Sequence, residues 1–589
     1  MQNKFSLILQ KINSLFLRYP LVLLMSLAMA VTIIYAIETE VKKEAGFICL
    51  KLGIVFSLGI SLMFALKILS QRVKKGFLWE IIGLVFLVGF YFVLPKKEDD
   101  FNEVYAFLIV PSFILSHLLV AFVAFLKNEN SEKNFWQYNK NLFVNFFLTI
   151  IFTGVLTGGI ELAVVAVENL FSFDFDNKIY PEIFVFFSVF GSTLIFLLFN
   201  EDGLEYLEKD GNYPVVLKFF TQFILIPLLI IYVVILYFYS AKILINWELP
   251  RGWVSYLVLA YSLVGILALL LVHPLKEDTA KSWVKIFSKA FYFTLIPLIV
   301  LLFTAIFTRV LQYGYTEARY FVLLIALWLS AVVLYFIFNK RATIKFIPVS
   351  LFLFGLFALV FPYFNTFSVA KRSQKNELEK ILIENDLLVN GKIDFNKQVV
   401  DTVAYEIGGK FNFLIKRFEK DYIEKFLDDK TKKVVAENDF WNWDLFKNIK
   451  YIGHISSYQY VSLNAKNDLY EVKDYDYVAI LNDYFTEKEI KTNQDTFIIQ
   501  KTFGNKKTEF TLKLNEEKSV DLIPEIEKLF EKHKGNADKN RFNVDNLFVE
   551  ADFQKYHIKI VFSNISRSEY KTSTIEYNFN SPVLLIKEK

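Results

Sequence analysis

Polar side chains recur every four residues within one otherwise apolar stretch of the chain. The row consists of Asn145, Thr149, Thr153, Thr157 and Glu161. A carboxylate near hydrocarbon is energetically costly and usually finds a cation, a proton or a water-filled cavity. Threonine hydroxyls in a membrane helix commonly bond to the backbone or support close helix contacts. The row therefore indicates either an ion-pairing or transport site, or a closely packed helix.

The spacing of this row limits how much of it can face one site. Each four-residue step on a helix of 3.6 residues per turn drifts by about 40°, so the row winds partly round the helix. Gly154 and Gly158 form a small-xxx-small pair, which is typical of close helix contacts. From Asn145 to Thr157 we therefore favour close packing, with the hydroxyls bonded to their own helix backbone.

The acidic end of the row has two interpretations. Glu168 follows Glu161 by seven residues, so both acids share one helical face. Within hydrocarbon, Glu161 needs an ion pair or a functional role. Alternatively, Gly158 and Gly159 end the buried helix and leave both acids on an interfacial turn, where their cost is small.

A connection with two arginines offers a cationic partner. Residues 309–319 read RVLQYGYTEAR. Gly314 favours a tight turn, and Thr316 followed by Glu317 is typical of the start of a helix.

We therefore predict that Arg309 or Arg319 pairs with Glu161 or Glu168. Together with Glu317, these residues form the candidate intramembrane or ion-pair site.

Eleven long apolar segments must position these residues. A helix needs about 20 apolar residues to cross a bilayer. Such segments lie at residues 19–37, 46–66, 77–94, 104–126, 142–167, 183–199, 215–240, 253–272, 290–308, 320–338 and 346–364. The polar row lies in the fifth segment, and the arginine-bearing connection joins the ninth to the tenth. The lipid bilayer is therefore the first expected partner.

The connections between the segments alternate in their Lys and Arg content. The N-terminal tail and every second connection hold 18 Lys or Arg, whereas the intervening connections hold nine. Because cytoplasmic loops carry the excess of positive charge, the N-terminus is predicted to be cytoplasmic and the chain after Phe364 extracytoplasmic. The sixth segment is the weakest, with 17 uncharged residues, and without it the counts would be 14 and 13.

The two parts of the chain differ in composition. Residues 1–364 hold 29 Lys or Arg and 24 Asp or Glu, nearly all in loops, whereas residues 365–589 hold 36 and 37. We predict an all-α polytopic membrane bundle of about 11 transmembrane helices, followed by a soluble α+β domain. The near-zero charge balance of the second part argues against nucleic-acid binding. A single cysteine, Cys49, leaves no intramolecular disulfide possible.

Two stretches resemble a known family. RVLQYGYTEAR, together with GGIELAVVAVENLF at residues 158–171, is similar to the bacterial multi-pass membrane family termed domain of unknown function 4153. The resemblance covers the membrane part from about the fourth segment onward. It implies an integral inner-membrane protein and brings no established activity or catalytic residue.

The hydrophobic periodicity changes after Phe364, as expected of a soluble α+β domain. One helical pattern begins at Leu378 and another at Val399, the second continuing past Gly408 and Gly409. Further along, the pattern predicts a hairpin of residues 496–503 and 508–514, a helix at 524–533, and strands at 556–562 and 574–579.

No motif specifies a reaction or a cofactor. The chain has no glycine-rich phosphate loop, zinc-binding helix motif or nucleophile elbow. His454, His533 and His557 are widely spaced and lack a regular acidic or Cys pattern, so no metal site is expected. We interpret His117 and His273 as structural or interfacial.

These observations favour a non-enzymatic protein of the bacterial inner membrane. The helical bundle would anchor an external domain that contacts an envelope protein, a wall polymer or a signal. The alternative is a transporter, or a lipid-substrate membrane transferase, that uses Glu161 and the connection at residues 309–319.

Reporter fusions test the predicted topology. A reporter that is active only outside the cytoplasm should be active when fused after Phe364 and inactive within residues 67–76. Equal activity at the two positions would contradict the assignment.

Overall fold

A computed structural model of the protein describes most of the chain. The described residues are 2–38, 43–73, 76–126, 132–173, 175–209, 213–246, 253–276, 282–437, 445–450, 458–466, 472–482, 485–504, 507–515, 518–532, 541–545, 547–553, 555–570, 574–580 and 582–589.

Helices dominate the first 360 residues. They are α1 (Gln2–Arg18), α2 (Pro20–Glu38), α3 (Lys43–Ser70), α4 (Phe77–Val93), α5 (Ala106–Phe122), α6 (Glu132–Phe171), α7 (Ile179–Phe186), α8 (Ser192–Phe199), α9 (Leu204–Leu207), α10 (Val215–Phe219), α11 (Ile226–Asn246), α12 (Trp253–Val272), α13 (Ser282–Tyr313), α14 (Glu317–Phe338) and α15 (Phe346–Val360). Two π-helical turns, Phe187–Gly191 and Phe220–Leu225, join α7 to α8 and α10 to α11.

Every predicted apolar segment coincides with a helix. Among the described residues, nine helical stretches are long and apolar enough to cross a membrane. The remaining two, α4 and α15, are shorter, with 17 and 15 residues. The membrane class of the fold is therefore confirmed, and the count of eleven crossings stays a prediction.

The weakest predicted segment is longer than its uncharged core. Residues Ile179–Phe199 form one stretch of 21 residues through the π-helical turn. At 1.5 Å per residue it reaches about 32 Å, which matches the hydrocarbon thickness. The additional length comes from residues 179–182, which precede the predicted segment. Glu182 is tolerated there, because an acid at the end of a helix remains at the interface.

Among the described residues of the membrane part, most buried apolar side chains belong to two large cores. The first joins α2, α3, α5 and α8 with the start of α6, and includes Phe64, Phe125 and Tyr138. The second joins α11 to α15, and includes Leu298 and Val332.

Four helices follow the last apolar one. They are α16 (Thr366–Glu384), α17 (Asp401–Ile415), α18 (Lys420–Glu424) and α19 (Asp429–Glu437). The chain divides into two compact units, residues 1–392 with 410–440, and residues 393–409 with 441–589. The predicted boundary after Phe364 marks the end of the apolar helices, whereas the first unit also takes in α16, α18, α19 and the end of α17.

The second unit is rich in strands. With two strands at the unit boundary, the elements are β1 (Leu388–Val389), β2 (Lys392–Ile393), β3 (Val399–Val400), β4 (Ile449–Lys450), β5 (Tyr458–Ala465), β6 (Tyr477–Ile480), β7 (Glu487–Lys491), β8 (Thr496–Gly504), β9 (Lys507–Leu514), β10 (Lys518–Asp521), α20 (Ile523–Glu531), β11 (Arg541–Val544), β12 (Phe548–Asp552), β13 (Tyr556–Val561), β14 (Asn564–Tyr570), β15 (Thr574–Asn580) and β16 (Val583–Glu588).

Two sheets enclose the core of this unit. One has the order β11-β5-β14-β15-β9-β8-β7, with β10 paired to β9, and the other has the order β12-β13-β16-β6. Both sheets and α20 contribute fully buried side chains, such as Phe510, Ile526 and Ile558. Alternating buried and exposed residues in β9 and β13 explain why the strand pattern could be recognised in the sequence.

The structure confirms the predicted elements of the tail. The hairpin is β8 and β9, paired antiparallel from Phe497 opposite Leu514 to Gly504 opposite Lys507. The predicted helix is α20, and the amide of its first residue, Ile523, donates to Asp521 Oδ1 at 3.0 Å. The α+β class of the tail is therefore confirmed.

Candidate functional site

The first four residues of the polar row on α6 face the protein interior, and Glu161 is partly buried. Asn145, Thr149, Thr153 and Thr157 are buried, while apolar neighbours such as Ile151 are exposed. The drift of about 40° per step still leaves these four residues facing the other helices. The sequence therefore places the polar side chains inside and the apolar ones toward lipid.

One end of the row is satisfied by neighbouring polar groups. The Asn145 side-chain amide donates to Asn200 Oδ1 at 2.9 Å, and Asn200 is fully buried. The Thr149 hydroxyl donates to the Asn145 carbonyl at 2.8 Å. At this end the packing interpretation is correct, because each polar group bonds to the protein.

The middle of the row is different. The hydroxyl oxygens of Thr153 and Thr157 are buried and have no hydrogen-bond partner. Both side chains line a cavity of about 680 Å³, together with Thr149 and Glu161. A buried hydroxyl without a partner costs about 1–3 kcal/mol. The predicted backbone bonds are thus formed at Thr149 and not at these two residues.

Helices α3 and α5 supply a second polar wall. His117 lines the cavity, and its Nδ1 lies 2.8 Å from the Phe113 carbonyl. Because a carbonyl oxygen only accepts, Nδ1 carries the proton, and Nε2 is the basic nitrogen of the neutral ring. On α3, the Ser61 hydroxyl contacts the cavity and lies 2.7 Å from that of Ser116. From the sequence, His117 was interpreted as structural or interfacial, and the structure places it in the lining of the cavity.

The π-helical turn closes a third side of the cavity. Ser188 lies in the turn and Ser192 directly after it, and both line the cavity. The Ser192 hydroxyl donates to the Ser188 carbonyl at 2.6 Å. A π-helical turn shifts the register of a helix and is frequent at functional sites. Here it places two hydroxyls of one helix opposite the polar row.

Gly154 and Gly158 do not mark a helix contact. A Cβ built at either glycine would meet nothing within 4 Å. Both glycines line the cavity instead. The small-xxx-small interpretation is therefore wrong, because the space beside these residues is open and not filled by a second helix.

The other predicted acids and bases have separate surroundings. Glu168 accepts a hydrogen bond from the Tyr180 hydroxyl. Arg319 donates to the carbonyls of Tyr313 and Gly314, at 3.3 and 2.7 Å.

Arg309 is exposed on α13. The pairing of Arg309 or Arg319 with Glu161 or Glu168 stays a prediction.

Glu317 pairs with a residue that the sequence did not reveal. Arg417 Nε and Nη2 donate to the two carboxylate oxygens of Glu317, at 2.6 and 2.7 Å. The side chains are only 1% and 8% exposed, for Glu317 and Arg417 respectively. The guanidinium also lies over the Phe413 ring, 3.3 Å from its centre. Planar, two-pronged binding of this kind is specific to arginine.

Thr316 and Gly314 form the helix start and the turn that the sequence predicted, and together they position Glu317. The Thr316 hydroxyl caps α14, whose first residue is Glu317. An acid in the first turn is favoured by the helix dipole. Gly314 has a φ of +73°, and a Cβ there would lie 2.9 Å from Ser373 Oγ on α16. Glycine is therefore required both for the turn and for the approach of the soluble helix.

Further donors converge on the end of α13. The Tyr313 carbonyl accepts from Gln374 Nε2 at 2.9 Å and from Lys410 Nζ at 3.0 Å. The last carbonyls of a helix lack partners within the helix and favour cationic donors. We call the contacts of residues 313–319 with Gln374, Lys410 and Arg417 the junction. It joins the end of the bundle to the helices that follow it in the first unit.

An ion-paired acid strengthens the packing of α16 against α18. Glu419 accepts from Lys371 and Lys375, at 2.9 and 2.6 Å. Burial by itself would raise the pKa of Glu419, but hydrogen bonds from the two ammonium groups and their charges hold this pKa below its ordinary value. The ionised carboxylate therefore stabilises the folded state.

Some sequence expectations fall outside these sites. His454 and His533 lie outside the described residues. His557 Nδ1 lies 3.1 Å from Asp552 Oδ1. Among the described residues, no group of three or more His, Cys, Asp or Glu side chains is arranged to hold a metal ion.

Arg417 and His117 are the site residues that sequence reasoning missed. One signal for Arg417 was available, because the chain has 55 Lys and only 10 Arg. Because arginine is so rare in this chain, each arginine was a candidate for the planar, two-pronged binding that lysine cannot provide. Nothing in the sequence distinguished His117 from an interfacial histidine.

The fold and these sites define a multi-pass helical membrane protein with a sheet-rich C-terminal domain. The domain of unknown function DUF4153 matches residues 21–394, and the chain belongs to this family. The predicted family is thereby confirmed. An uncharacterized protein of Pasteurella multocida (strain Pm70) is 24% identical over 528 residues, which cover 84% of each chain. No solved structure matches the chain significantly.

Breaking the buried ion pair should destabilise the first unit. Arg417→Gln leaves the Glu317 carboxylate buried without its counter-charge, which costs about 3–5 kcal/mol. We expect a lower thermal unfolding midpoint in detergent and faster hydrogen exchange in residues 410–424.

An exposed ion pair beside it provides a matched control. Lys416 contacts Glu103 at 2.6 Å, with side chains 48% and 62% exposed. Lys416→Gln should therefore cost less than about 1 kcal/mol. Replacing both Glu317 and Arg417 by leucine should recover most of the loss, because no unpaired charge remains. Equal effects of R417Q and K416Q would contradict the assignment.

The paired acid Glu419 should make stability depend on pH. Because its pKa is depressed in the folded state, its contribution is present above the ordinary pKa of about 4.3 and is lost as pH falls through the folded value. Glu419→Gln should therefore destabilise the protein at neutral pH, with a difference from wild type that shrinks at acid pH. Glu384→Gln, at an exposed acid 4.0 Å from Lys380, is the control. A pH-independent effect of E419Q would count against this role.

Proposed function

We propose that this membrane bundle anchors its C-terminal domain outside the bacterial inner membrane, for contact with an envelope protein or a wall polymer. The observation that carries the proposal is the buried pair of Glu317 and Arg417. Arg417 lies just after α17, and the pair holds this part of the first unit against the first turn of α14.

The distribution of charge supports the side assigned to the domain. The predicted cytoplasmic connections hold twice as many Lys and Arg as the others, and cytoplasmic loops carry such an excess. All eleven predicted segments coincide with helices, and an odd number of crossings leaves the tail opposite the N-terminus.

A second candidate function is transport. It is favoured by the cavity in the bundle, whose lining includes both Glu161 and His117. Ionisable groups in such a space are typical of ion and substrate pathways. A lipid-substrate transferase would use the same groups.

Complementation of a deletion strain separates the two functions. A version ending after residue 440 keeps Arg417 and the junction but lacks most of the second unit. If the domain contacts a partner, this version should fail to complement, while Glu161→Gln should complement fully. Transport predicts the reverse pattern.

Protein levels in the membrane provide the control for both variants. A failure to complement is evidence against a function only if the variant accumulates in the membrane to the level of the wild type. Full complementation by the version ending after residue 440 would contradict the anchoring function.

A further inference from the structure

The cavity beside α6 has the dimensions of a binding site for an elongated molecule. Its lining on this helix runs from Phe146 to Glu161, and fifteen residues at 1.5 Å rise correspond to about 22 Å. That length is more than half of the hydrocarbon core of a bilayer. With a volume of about 680 Å³, the cavity lies in the usual size range of small-molecule sites.

Both apolar and polar groups line this cavity. Phe64, Phe184 and Phe196 supply apolar surface, and Thr153, Thr157 and Glu161 of α6 supply polar groups. A ligand that satisfies both surfaces must itself be amphiphilic.

The mouth of the cavity opens toward the lipid-facing surface of the bundle. Phe146, Ile150 and Phe184 line the cavity and are 55%, 54% and 56% exposed. Such apolar side chains are exposed without cost only where they meet lipid. A molecule dissolved in the bilayer can therefore enter between them.

The buried hydroxyls point to a ligand and not to mere packing. Thr153 and Thr157 are 7% and 4% exposed, and both hydroxyl oxygens lack a partner. Buried polar groups are normally hydrogen-bonded. These two line the cavity, so a polar group bound there would satisfy them.

The charges in the lining select the head group. None of the described residues lining the cavity is Lys or Arg, whereas Glu161 supplies a carboxylate and His117 an imidazole. Phosphate binding depends on cationic or backbone donors, so an anionic head group is disfavoured. A hydroxyl or an ammonium group donates to carboxylate and imidazole alike.

We propose that this cavity binds one long-chain amphiphile from the bilayer, with a hydroxyl or ammonium head group held between Thr157 and Glu161, one helical turn apart on α6. This binding is separate from the anchoring function and does not require that the ligand be transported.

Two neighbouring glycines provide a matched pair of variants. Gly158 lines the cavity and Gly159 does not, and a Cβ at either meets nothing within 4 Å. Gly158→Leu should therefore occupy the part of the cavity beside Thr157 and Glu161 without disturbing the packing, and Gly159→Leu makes the same change at a position that does not line the cavity. Equal thermal unfolding midpoints in nanodiscs would show that both variants fold.

Photo-crosslinking of the full-length protein in nanodiscs tests the proposal. The probes are a long-chain alcohol, a long-chain amine and a long-chain phosphate of equal chain length, each with a photoactivatable tail. The alcohol or the amine should label residues on α6 or α5, and Gly158→Leu should lower this labelling at least tenfold while Gly159→Leu retains it.

Glu161→Gln distinguishes the two head groups. A charged hydrogen bond is stronger than a neutral one, so amine labelling should fall roughly tenfold if the ammonium is the natural group, and alcohol labelling should change less. Labelling that is equal in G158L and G159L would overturn the proposal. So would labelling by the phosphate probe that matches or exceeds both others.

Discussion

The hydrocarbon of the bilayer offers no partner to a polar group, and this constraint governs the membrane part of the protein. Every buried polar side chain there must bond to protein or face an enclosed space. Asn145 and Asn200 bond to each other, Glu317 bonds to Arg417, and Arg319 bonds to helix carbonyls. Thr153 and Thr157 are the exceptions among the row on α6, and they identify the cavity as the place where something besides the protein is expected.

Local pattern made the elements of the fold predictable. Apolar length located each membrane helix, and alternation located the hairpin of the second unit. Gly314 forms the turn and Thr316 the helix start that their residue types predicted in the sequence. These features depend on residues close together in the chain, which is why one sequence was enough to find them.

The sites were less predictable because they join distant residues. Arg417 lies 100 residues after Glu317, and no local pattern links the two. The described lining of the cavity comes from six helices, α2, α3 and α5 to α8, which do not fill the space between them. This depends on how their side chains interlock. Gly154 and Gly158 show the limit of prediction from spacing. A small-xxx-small pair is typical of close helix contacts, but here the space beside both glycines is open.

The distance along the chain between Glu317 and Arg417 also has a consequence in time. Synthesis at about 5–20 residues per second makes Arg417 roughly 5–20 s after Glu317. During that interval the end of α14 carries a carboxylate whose folded partner does not yet exist. The last membrane helices therefore reach their final state only after the following chain has been delivered to the same side. Assembly of the bundle is complete only once the helices that follow it have been made.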